Sequence, residues 1–400
     1  MNSYWLDWLN LLVRWLHVIS GIAWIGASFY FVWLDNHLLA SRDTSDADKG
    51  ISGEVWSVHG GGFYHAQKYR VAPALLPEPL HWFKWEAYTT WLSGFFLLCL
   101  VYYAGANIYL IDPSVAVLSP VEAVTIGIGS LVLGWLIYDG LCRSPLGSND
   151  RLLGIAILVT LIFAAWGLTH LFSGRGAFIH YGAMLGTMMV GNVFFMIIPG
   201  QRELIKAKLA GREVDPTPGI KAKQRSVHNT YLTLPVIFTM ISNHYAMVFN
   251  HAYNWVILVA ISIAGAAIRV YFVSIHKGNG SPATLLLGIG LLLGVAVAIS
   301  PVTSQHHVDI SLNTADQFAH VMQVVQKRCT RCHSENPTQP GFVDAPKGIL
   351  LDKPARVEAQ AELIYQQVSS RAMPPGNLTA MTDQERQMIK AWHDSGAPSK

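Results

Sequence analysis

The pattern of hydrophobic and polar residues divides the chain into a long apolar part and a short polar tail. In the apolar part, runs of hydrophobic residues alternate with short polar segments. A helix needs about 20 mainly apolar residues to cross a bilayer. Eight stretches meet this requirement, so residues 1–301 are predicted to form an eight-span transmembrane helix bundle. The stretches are 9–34, 87–106, 120–141, 152–172, 177–198, 227–249, 253–273 and 282–300.

The last quarter of the chain is more polar and has the spacing of amphipathic helices. The polar segment 302–313 predicts a linker, and residues 314–400 are predicted to form a separate domain. We expect helices over 316–331 and 361–371. A third helix should follow Thr382, because Thr382 and Glu385 have the spacing of a capping box, and it should end near Gly396. The whole chain is therefore predicted to be all-α.

The composition supports a membrane protein. The chain is 52% hydrophobic and 13% charged, whereas soluble domains have about 25% charged residues. Its net charge of +3 is too small to indicate nucleic acid as a partner. The first span has no basic segment before it and no cleavage site after it, so we expect it to be retained rather than removed as a signal peptide.

The strongest chemical signal is the run Cys329-Thr330-Arg331-Cys332-His333. This C-x-x-C-H pattern is typical of covalent c-type haem attachment. Residues i and i+3 lie on one face of a helix, so both thiols can bond to the vinyl groups at one edge of the porphyrin. His333 can then bind the iron as the proximal ligand. The pattern therefore predicts one covalent haem c.

A zinc half-site and a redox-active dithiol are the alternative interpretations of the same run. Zinc would need a second Cys/His pair. The other two cysteines of the chain, Cys99 and Cys142, lie in or beside apolar segments. Haem attachment is therefore the favoured interpretation.

Met373 is the best candidate for the second axial ligand of the haem iron. It lies in a Pro/Gly-rich loop, where a side chain can be directed without breaking a helix. A thioether ligand raises the reduction potential and suits electron transfer. Further candidates are Met381, Met388, His320 and His393. With its three predicted helices, the tail resembles a small class I cytochrome c domain.

Basic residues predict the orientation in the membrane. The loops after the first, third, fifth and seventh predicted spans carry most of the Lys and Arg residues of the apolar part. The opposite side carries only Arg14 and Arg175. The positive-inside rule then places both termini outside. Because haem c is attached on the outer face of bacterial membranes, the haem motif independently predicts a multi-pass inner-membrane protein with periplasmic N and C termini.

Histidines within the predicted spans are candidates for catalysis or for a second redox centre. Ionisable residues in spans are costly and often functional. Several of them should lie at one level near the outer side, beneath the cytochrome, and histidines that face each other there suggest a haem b or metal site. The sequence does not divide them between iron ligand and general base. The predicted set is His17, His170, His180 and His244.

The side facing the cytoplasm carries less specific signals. The loop after the first span contains the run HGGGFYH at 59–65. A glycine triplet either lets the backbone approach a ligand closely or forms a flexible loop. Asn192, Asn229 and Asn243 lie in spans, where each either joins helices or contacts a substrate.

Three blocks of the apolar part carry a family resemblance. They are WFKWEAY at 82–88, NVFFMIIPGQ at 192–201, and HNTYLTLP at 228–235 continuing to SNHY at 242–245. An eight-span domain with these blocks, fused to a C-terminal cytochrome c, resembles the bacterial membrane-bound, cytochrome c-linked urate oxidases (urate hydroxylases). The resemblance extends over essentially the whole chain.

The resemblance implies oxidation of urate to 5-hydroxyisourate. Electrons would leave through the fused haem c to a soluble cytochrome c or a terminal oxidase of the respiratory chain. The urate anion would bind in the bundle against Arg, His and Asn donors, and a histidine would remove a proton. Because haem c accepts one electron at a time, a haem b at the membrane histidines is a further expectation.

Two other functions fit the same patterns. In a quinol-linked electron carrier with a fused cytochrome c, the membrane histidines would bind haem b and urate would play no part. A transporter with a cytochrome sensor would favour internal repeats. The sequence has no convincing repeat, so the transporter is the weaker alternative.

Overall fold

A computed structural model describes residues 3–275, 280–300 and 314–398 of the chain. These residues are mostly helical. The predicted linker 302–313 lies outside the described residues. The helices are α1 (Ser3–Asn36), α2 (Trp85–Leu97), α3 (Pro120–Arg143), α4 (Asp150–Thr169), α5 (Gly174–Gly191), α6 (Ile198–Leu209), α7 (Thr217–Ile241), α8 (Ala246–Phe249), α9 (Asn254–Ile275), α10 (Pro282–Ala298), α11 (Thr314–Arg328), α12 (Pro354–Ala359), α13 (Ala361–Ser369) and α14 (Asp383–Asp394).

Each predicted span lies on one of these helices or on a π-helical continuation of it. Two π-helical segments, Leu98–Tyr103 and Ala106–Leu110, extend α2, and a third, Asn192–Ile197, joins α5 to α6. Within the described ranges, five helical segments are long and apolar enough to cross a membrane, which makes this a membrane protein. They are Tyr4–Asn36, Pro120–Arg143, Asp150–Thr169, Gly174–Leu209 and Asn254–Ile275.

The other three predicted spans are less regular. The two π-helical segments interrupt the helix that begins as α2. Basic residues occupy the first turns of α7 and Pro235 lies inside it. α10 is strongly apolar but has 17 residues.

Helix α5 lies at the centre of the bundle. It contacts α2, α3, α4 and α7, and buried residues occur all round it, among them Phe178, Tyr181 and Leu185. A helix that is apolar on every side is expected to be enclosed by others. In contrast, α1 and α10 leave most of their apolar side chains exposed, which suits contact with lipid. Residues placed on α5 are therefore the most shielded in the protein.

A β-hairpin lies between α1 and α2. Strands β1 (Ile51–His59) and β2 (Gly62–Tyr69) pair antiparallel. Gly60 and Gly61 form the turn with φ of 58° and 80°, and a two-residue hairpin turn of this type needs positive φ at both positions. The all-α prediction is wrong here, and the glycine run is an ordered turn rather than a flexible loop.

Cross-strand side chains stabilise this hairpin. The rings of Trp56 and His65 stack with centroids 4.2 Å apart, and Nε2 of His65 lies 2.7 Å from a carboxylate oxygen of Glu54. Such pairs contribute to sheet stability only after the strands have met. The hydrophobic periodicity that predicts helices and spans does not reveal these cross-strand pairs.

The C-terminal helices α11 to α14 form a separate unit with its own core. Phe318, Val321, Ile389 and Trp392 belong to that core. The three helices predicted for this region are present, with end points shifted by up to three residues. The predicted capping box at Thr382 is confirmed, because its side chain and that of Glu385 cap each other's backbone N–H groups.

The C-terminal unit contacts the membrane bundle through the loop that carries Met373. Nδ2 of Asn250, after α8, donates a hydrogen bond of 2.8 Å to the carbonyl of Arg371. A Cβ atom at Gly376 would lie 2.9 Å from the carbonyl oxygen of Ile111, and one at Gly341 would lie 3.0 Å from the side chain of Ile108. The contact therefore involves the end of the Ala106–Leu110 π-helix.

Candidate functional site

The C-x-x-C-H run follows α11 directly and forms a tight turn. The backbone N–H groups of Cys332 and His333 donate to the carbonyl of Cys329 at 3.1 and 2.8 Å. Both cysteines are free thiols. The turn keeps the i and i+3 relationship that attachment to two vinyl groups requires.

The imidazole of His333 is held by a single backbone contact. Its Nδ1 donates to the carbonyl of Ile349 at 3.0 Å, and the N–H of Leu351 donates to the carbonyl of His333 at 2.8 Å. A donor bond at Nδ1 leaves Nε2 with its lone pair, which is the arrangement usual for histidines that bind metals. The residues present therefore fit an iron ligand at this position.

The two thiols differ from those of a zinc or dithiol site. Burial raises the pKa of Cys329 to about 12 and also raises that of Cys332. Zinc ligands and redox-active cysteines act as thiolates and have lowered pKa values. In the part of the chain that the structure describes, no three His, Cys, Asp or Glu side chains are close enough to hold a metal ion. The described residues around this run thus supply no set of three protein ligands for a zinc ion.

Met373 lies on a loop that the terminal helix holds in place. Nη1 of Arg386 donates to the carbonyls of Val368 and Met373, each at 2.9 Å, and Nη2 donates to Oδ1 of Asn377 at 3.2 Å. Met373 is partly exposed. Met381 instead belongs to the core of the unit. Core packing thus accounts for Met381, whereas the side chain of Met373 has no such role.

The four membrane histidines occupy different environments, and His17 and His180 are the more enclosed. Nδ1 of His17 donates to the carbonyl of Thr90 at 2.9 Å and so joins α1 to α2. His180 on α5 is fully buried, and its Nδ1 donates to the carbonyl of Gly176 at 2.8 Å. Its Nε2 has no partner among the described residues. Of the predicted set, His180 is the best placed for chemistry inside the bundle.

His170 and His244 are exposed. Nδ1 of His170 bonds to the carbonyl of Trp166 on its own helix at 2.7 Å, and its ring lies beside that of Trp166. His244 lies in the short turn after α7. The structure therefore does not gather the four predicted histidines into one buried cluster.

A buried polar network joins α3, α7 and the π-helical segment between α5 and α6. Arg225 forms an ion pair with Asp139 at 2.7 Å and donates to Oδ1 of Asn192 at 3.1 Å. Asn192 in turn donates to the hydroxyl of Tyr138 at 2.9 Å, and that hydroxyl bonds to Nδ1 of His228 at 2.8 Å. Since its charges are paired, this network primarily fixes the packing of the three segments.

A second polar group lies at the start of α5, and sequence reasoning found it only in part. Nε of Arg175 donates to the hydroxyl of Tyr102 at 3.1 Å and to Oδ1 of Asn243 at 3.2 Å. The sequence marks Arg175 only as a rare outer-side charge, and it marks Asn243 only as a polar residue within a span. Nothing in the local sequence marks Tyr102, because the two π-helical segments decide which way it faces.

The fold defines a helical membrane protein with a separate helical C-terminal unit. The chain belongs to the family described as "Urate oxidase N-terminal", whose family model matches residues 3–300. Membership of this family indicates an oxidoreductase that acts on urate. No curated protein and no solved structure matches the chain. The match confirms the urate oxidase part of the predicted resemblance, and residues 301–400 lie outside it.

Proposed function

We propose that this protein is a membrane-bound urate oxidase that passes electrons from urate to its own C-terminal haem c. The observation that carries the proposal is the orientation of His333 by Ile349, directly after two free thiols, in a chain whose first 300 residues match a urate oxidase family. Residues 314–400 act as a cytochrome c domain joined by the segment 302–313 to an eight-span membrane domain.

The haem site in this proposal uses four residues. Cys329 and Cys332 would attach the haem covalently, and His333, through Nε2, and Met373 would bind its iron. A haem c held in this way accepts and releases one electron at a time. The partly exposed position of Met373, together with the packing role of Met381, supports this choice of ligand.

The proposed reaction is the two-electron oxidation of urate. Urate and one water give 5-hydroxyisourate, two protons and two electrons, with a new C–O bond at C5 of the purine ring. The membrane domain holds the urate anion and takes up the first proton. His180 is the favoured base. Its Nδ1 donates to the carbonyl of Gly176, so its unpaired Nε2 has a lone pair that can accept a proton. His17, His170 and His244 stay predictions for the remaining redox or catalytic roles, and haem b stays a prediction on which no step depends.

The proposed orientation places both termini in the periplasm of a bacterial inner membrane. Phe63 in the β-hairpin and Val343 in the C-terminal unit are both exposed and would then lie on opposite sides. In spheroplasts, a membrane-impermeant maleimide should label Val343→Cys, and it should label Phe63→Cys only after permeabilisation. Labelling of Phe63→Cys in intact spheroplasts would reject this orientation.

An anaerobic visible spectrum of the purified protein, before and after urate is added, tests the function. Reduction of the haem c band by urate without quinol supports the proposal. Cys329→Ser should remove covalent haem staining on a denaturing gel, whereas Cys142→Ser should retain it. Haem that stays oxidised with urate but is reduced by a quinol would replace the proposal by a quinol-linked carrier.

A further inference from the structure

The group around Arg175 combines a cation with two aromatic rings. Its guanidinium carbon lies 5.9 Å from the ring centroid of Tyr102 and 5.0 Å from that of Tyr109. The hydroxyl of Tyr102 also donates to Oδ1 of Asn243 at 2.9 Å. These contacts involve the Nε atom of the guanidinium and the two tyrosine rings. Among the described residues, the two terminal nitrogens of Arg175 make no hydrogen bond, and such nitrogens favour bidentate contact with an anion.

Arg175 also lacks a compensating negative charge. In the region that the structure describes, no carboxylate lies within ion-pair distance of it, whereas Arg225 is paired with Asp139. A partly buried arginine without a carboxylate favours binding of an anion that comes from outside the protein. Arg175 is thus the more suitable of these two arginines for an anionic ligand.

Two unpaired polar atoms lie deeper on the same side of the bundle. Nε2 of the fully buried His180 and the hydroxyl of Tyr103 have no hydrogen-bond partner among the described residues. A Cβ atom at Gly127 would lie 2.7 Å from that nitrogen and 3.1 Å from that hydroxyl. Buried polar groups are costly without a partner. Both groups therefore pack closely against Gly127, and a polar ligand atom beside them would supply the missing hydrogen-bond partner.

The two parts are close enough to bind one small planar molecule. Tyr102, which bonds to Arg175, has its ring centroid 6.3 Å from that of His180. Arg175 and His180 are five residues apart on α5, which is about 7.5 Å along the helix axis and about 140° around it, so Tyr102, which contacts both, connects the two parts. We infer that Arg175, Tyr102 and Tyr109 form the anion-binding end of the urate site, and that His180 and Tyr103 contact the other edge of the ring.

This inference rests on the proposed function and adds the place of binding to it. Tyr109 belongs to the same π-helical segment as Ile108, which contacts the C-terminal unit at Gly341. A planar anion held at Arg175 therefore lies next to the surface on which the Met373 loop sits. That position places the substrate near the proposed electron acceptor.

Urate binding to the full-length, dithionite-reduced protein tests the inference, because reduced haem prevents turnover during equilibrium dialysis. The Arg175→Gln variant should bind urate about 10- to 100-fold more weakly, because a charge-assisted contact is lost. As a control, Arg151→Gln removes an exposed charge at the end of α4 opposite to the start of α5, and it should change binding by less than about twofold. Tyr102→Phe keeps the ring and should give an intermediate loss.

Gly127→Ala tests the deeper end of the site, and Gly129→Ala on the same helix is its matched control. The added methyl group at 127 would lie 2.7 Å from Nε2 of His180 and would displace that ring, whereas a Cβ at 129 meets nothing within 4 Å. We expect Gly127→Ala to bind urate at least about tenfold more weakly. An unchanged temperature of thermal unfolding in detergent should show that the membrane domain of each variant is folded.

The possible results separate this inference from the function on which it rests. If the wild-type protein binds urate and urate reduces its haem, but Arg175→Gln and Gly127→Ala bind urate normally, the site is wrong and the function stands. If the wild-type protein neither binds urate nor is reduced by it, the function fails and the assigned ligand fails with it.

Discussion

Nη1 of Arg386 donates a hydrogen bond of 2.9 Å to the backbone carbonyl of Met373. The same guanidinium bonds to Val368 and Asn377, so one buried side chain of α14 holds the whole loop that carries the proposed axial ligand. Because residues that hold a metal ligand also orient it, we expect Arg386 to position Met373 toward the proposed haem iron.

Arg386→Gln should loosen this loop. We expect a loss of about 2–4 kcal/mol in the free energy of unfolding, because several bonds from a buried cation are lost. The midpoint potential of the haem should also fall as the thioether moves from the iron. Arg371→Gln is the control, since its ion pair with Asp383 is exposed and contributes less than about 1 kcal/mol. A wild-type potential in Arg386→Gln would contradict the positioning role.

Met373 and Met381 should respond in opposite ways to the same substitution. Met373→Ala should lower the midpoint potential with little change in unfolding temperature, because it removes the proposed ligand from a loop. Met381→Ala should leave the potential close to that of the wild type and cost about 2–4 kcal/mol, because it empties part of the core. Redox titration and thermal unfolding of both variants check this, and the reverse result would make Met381 the ligand.

Glu385 should make the C-terminal unit sensitive to acid. Burial by itself would raise the pKa of Glu385, but hydrogen bonds from Arg328 and from the Thr382 backbone, with the charge of Arg328, outweigh it and lower the pKa from its ordinary value of 4.5. A carboxylate with a lowered pKa in the folded state stabilises that state at higher pH. This stabilisation should be present above about pH 4.5 and lost as the pH falls through the folded-state pKa.

Thermal unfolding of the full chain between neutral and acidic pH measures this effect. Glu385→Gln should lower the unfolding temperature near neutral pH and reduce its dependence on pH below 4.5. Glu358→Gln, which changes an exposed glutamate of α12, should leave the profile as in the wild type. Equal acid sensitivity in all three proteins would show that Glu385 is not responsible.

The ion pair between Arg225 and Asp139 should be important for the stability of the membrane domain. Asp139→Asn leaves Arg225 buried without a counter-charge, and such a loss typically costs about 3–5 kcal/mol. Arg143 pairs with the same Asp139 but is largely exposed, so Arg143→Gln should cost less than about 1 kcal/mol. Thermal unfolding in detergent distinguishes the two, and equal losses would show that burial of Arg225 does not matter.

Local patterns in the sequence were sufficient to predict the helices and the proposed haem attachment site. The apolar runs predicted the helices of the bundle other than α6, because helix formation in a bilayer depends on continuous hydrophobicity. The spacing of Thr382 and Glu385 predicted the start of α14, and the C-x-x-C-H run lies in one turn that its own spacing defines. These features depend on residues within a few positions of each other.

Tertiary structure alone decided which distant residues meet. Among the described residues, five helical segments are long and apolar enough to cross a membrane. The other three predicted spans fall short because π-helical segments interrupt the helix that begins as α2, basic residues occupy the first turns of α7, and α10 has 17 residues. The hairpin was missed because its pairs, such as Trp56 with His65, become neighbours only when the strands meet. Likewise, Arg175 contacts Tyr102 and Asn243 only after three separate segments pack together, and sequence periodicity carries no information about such packing.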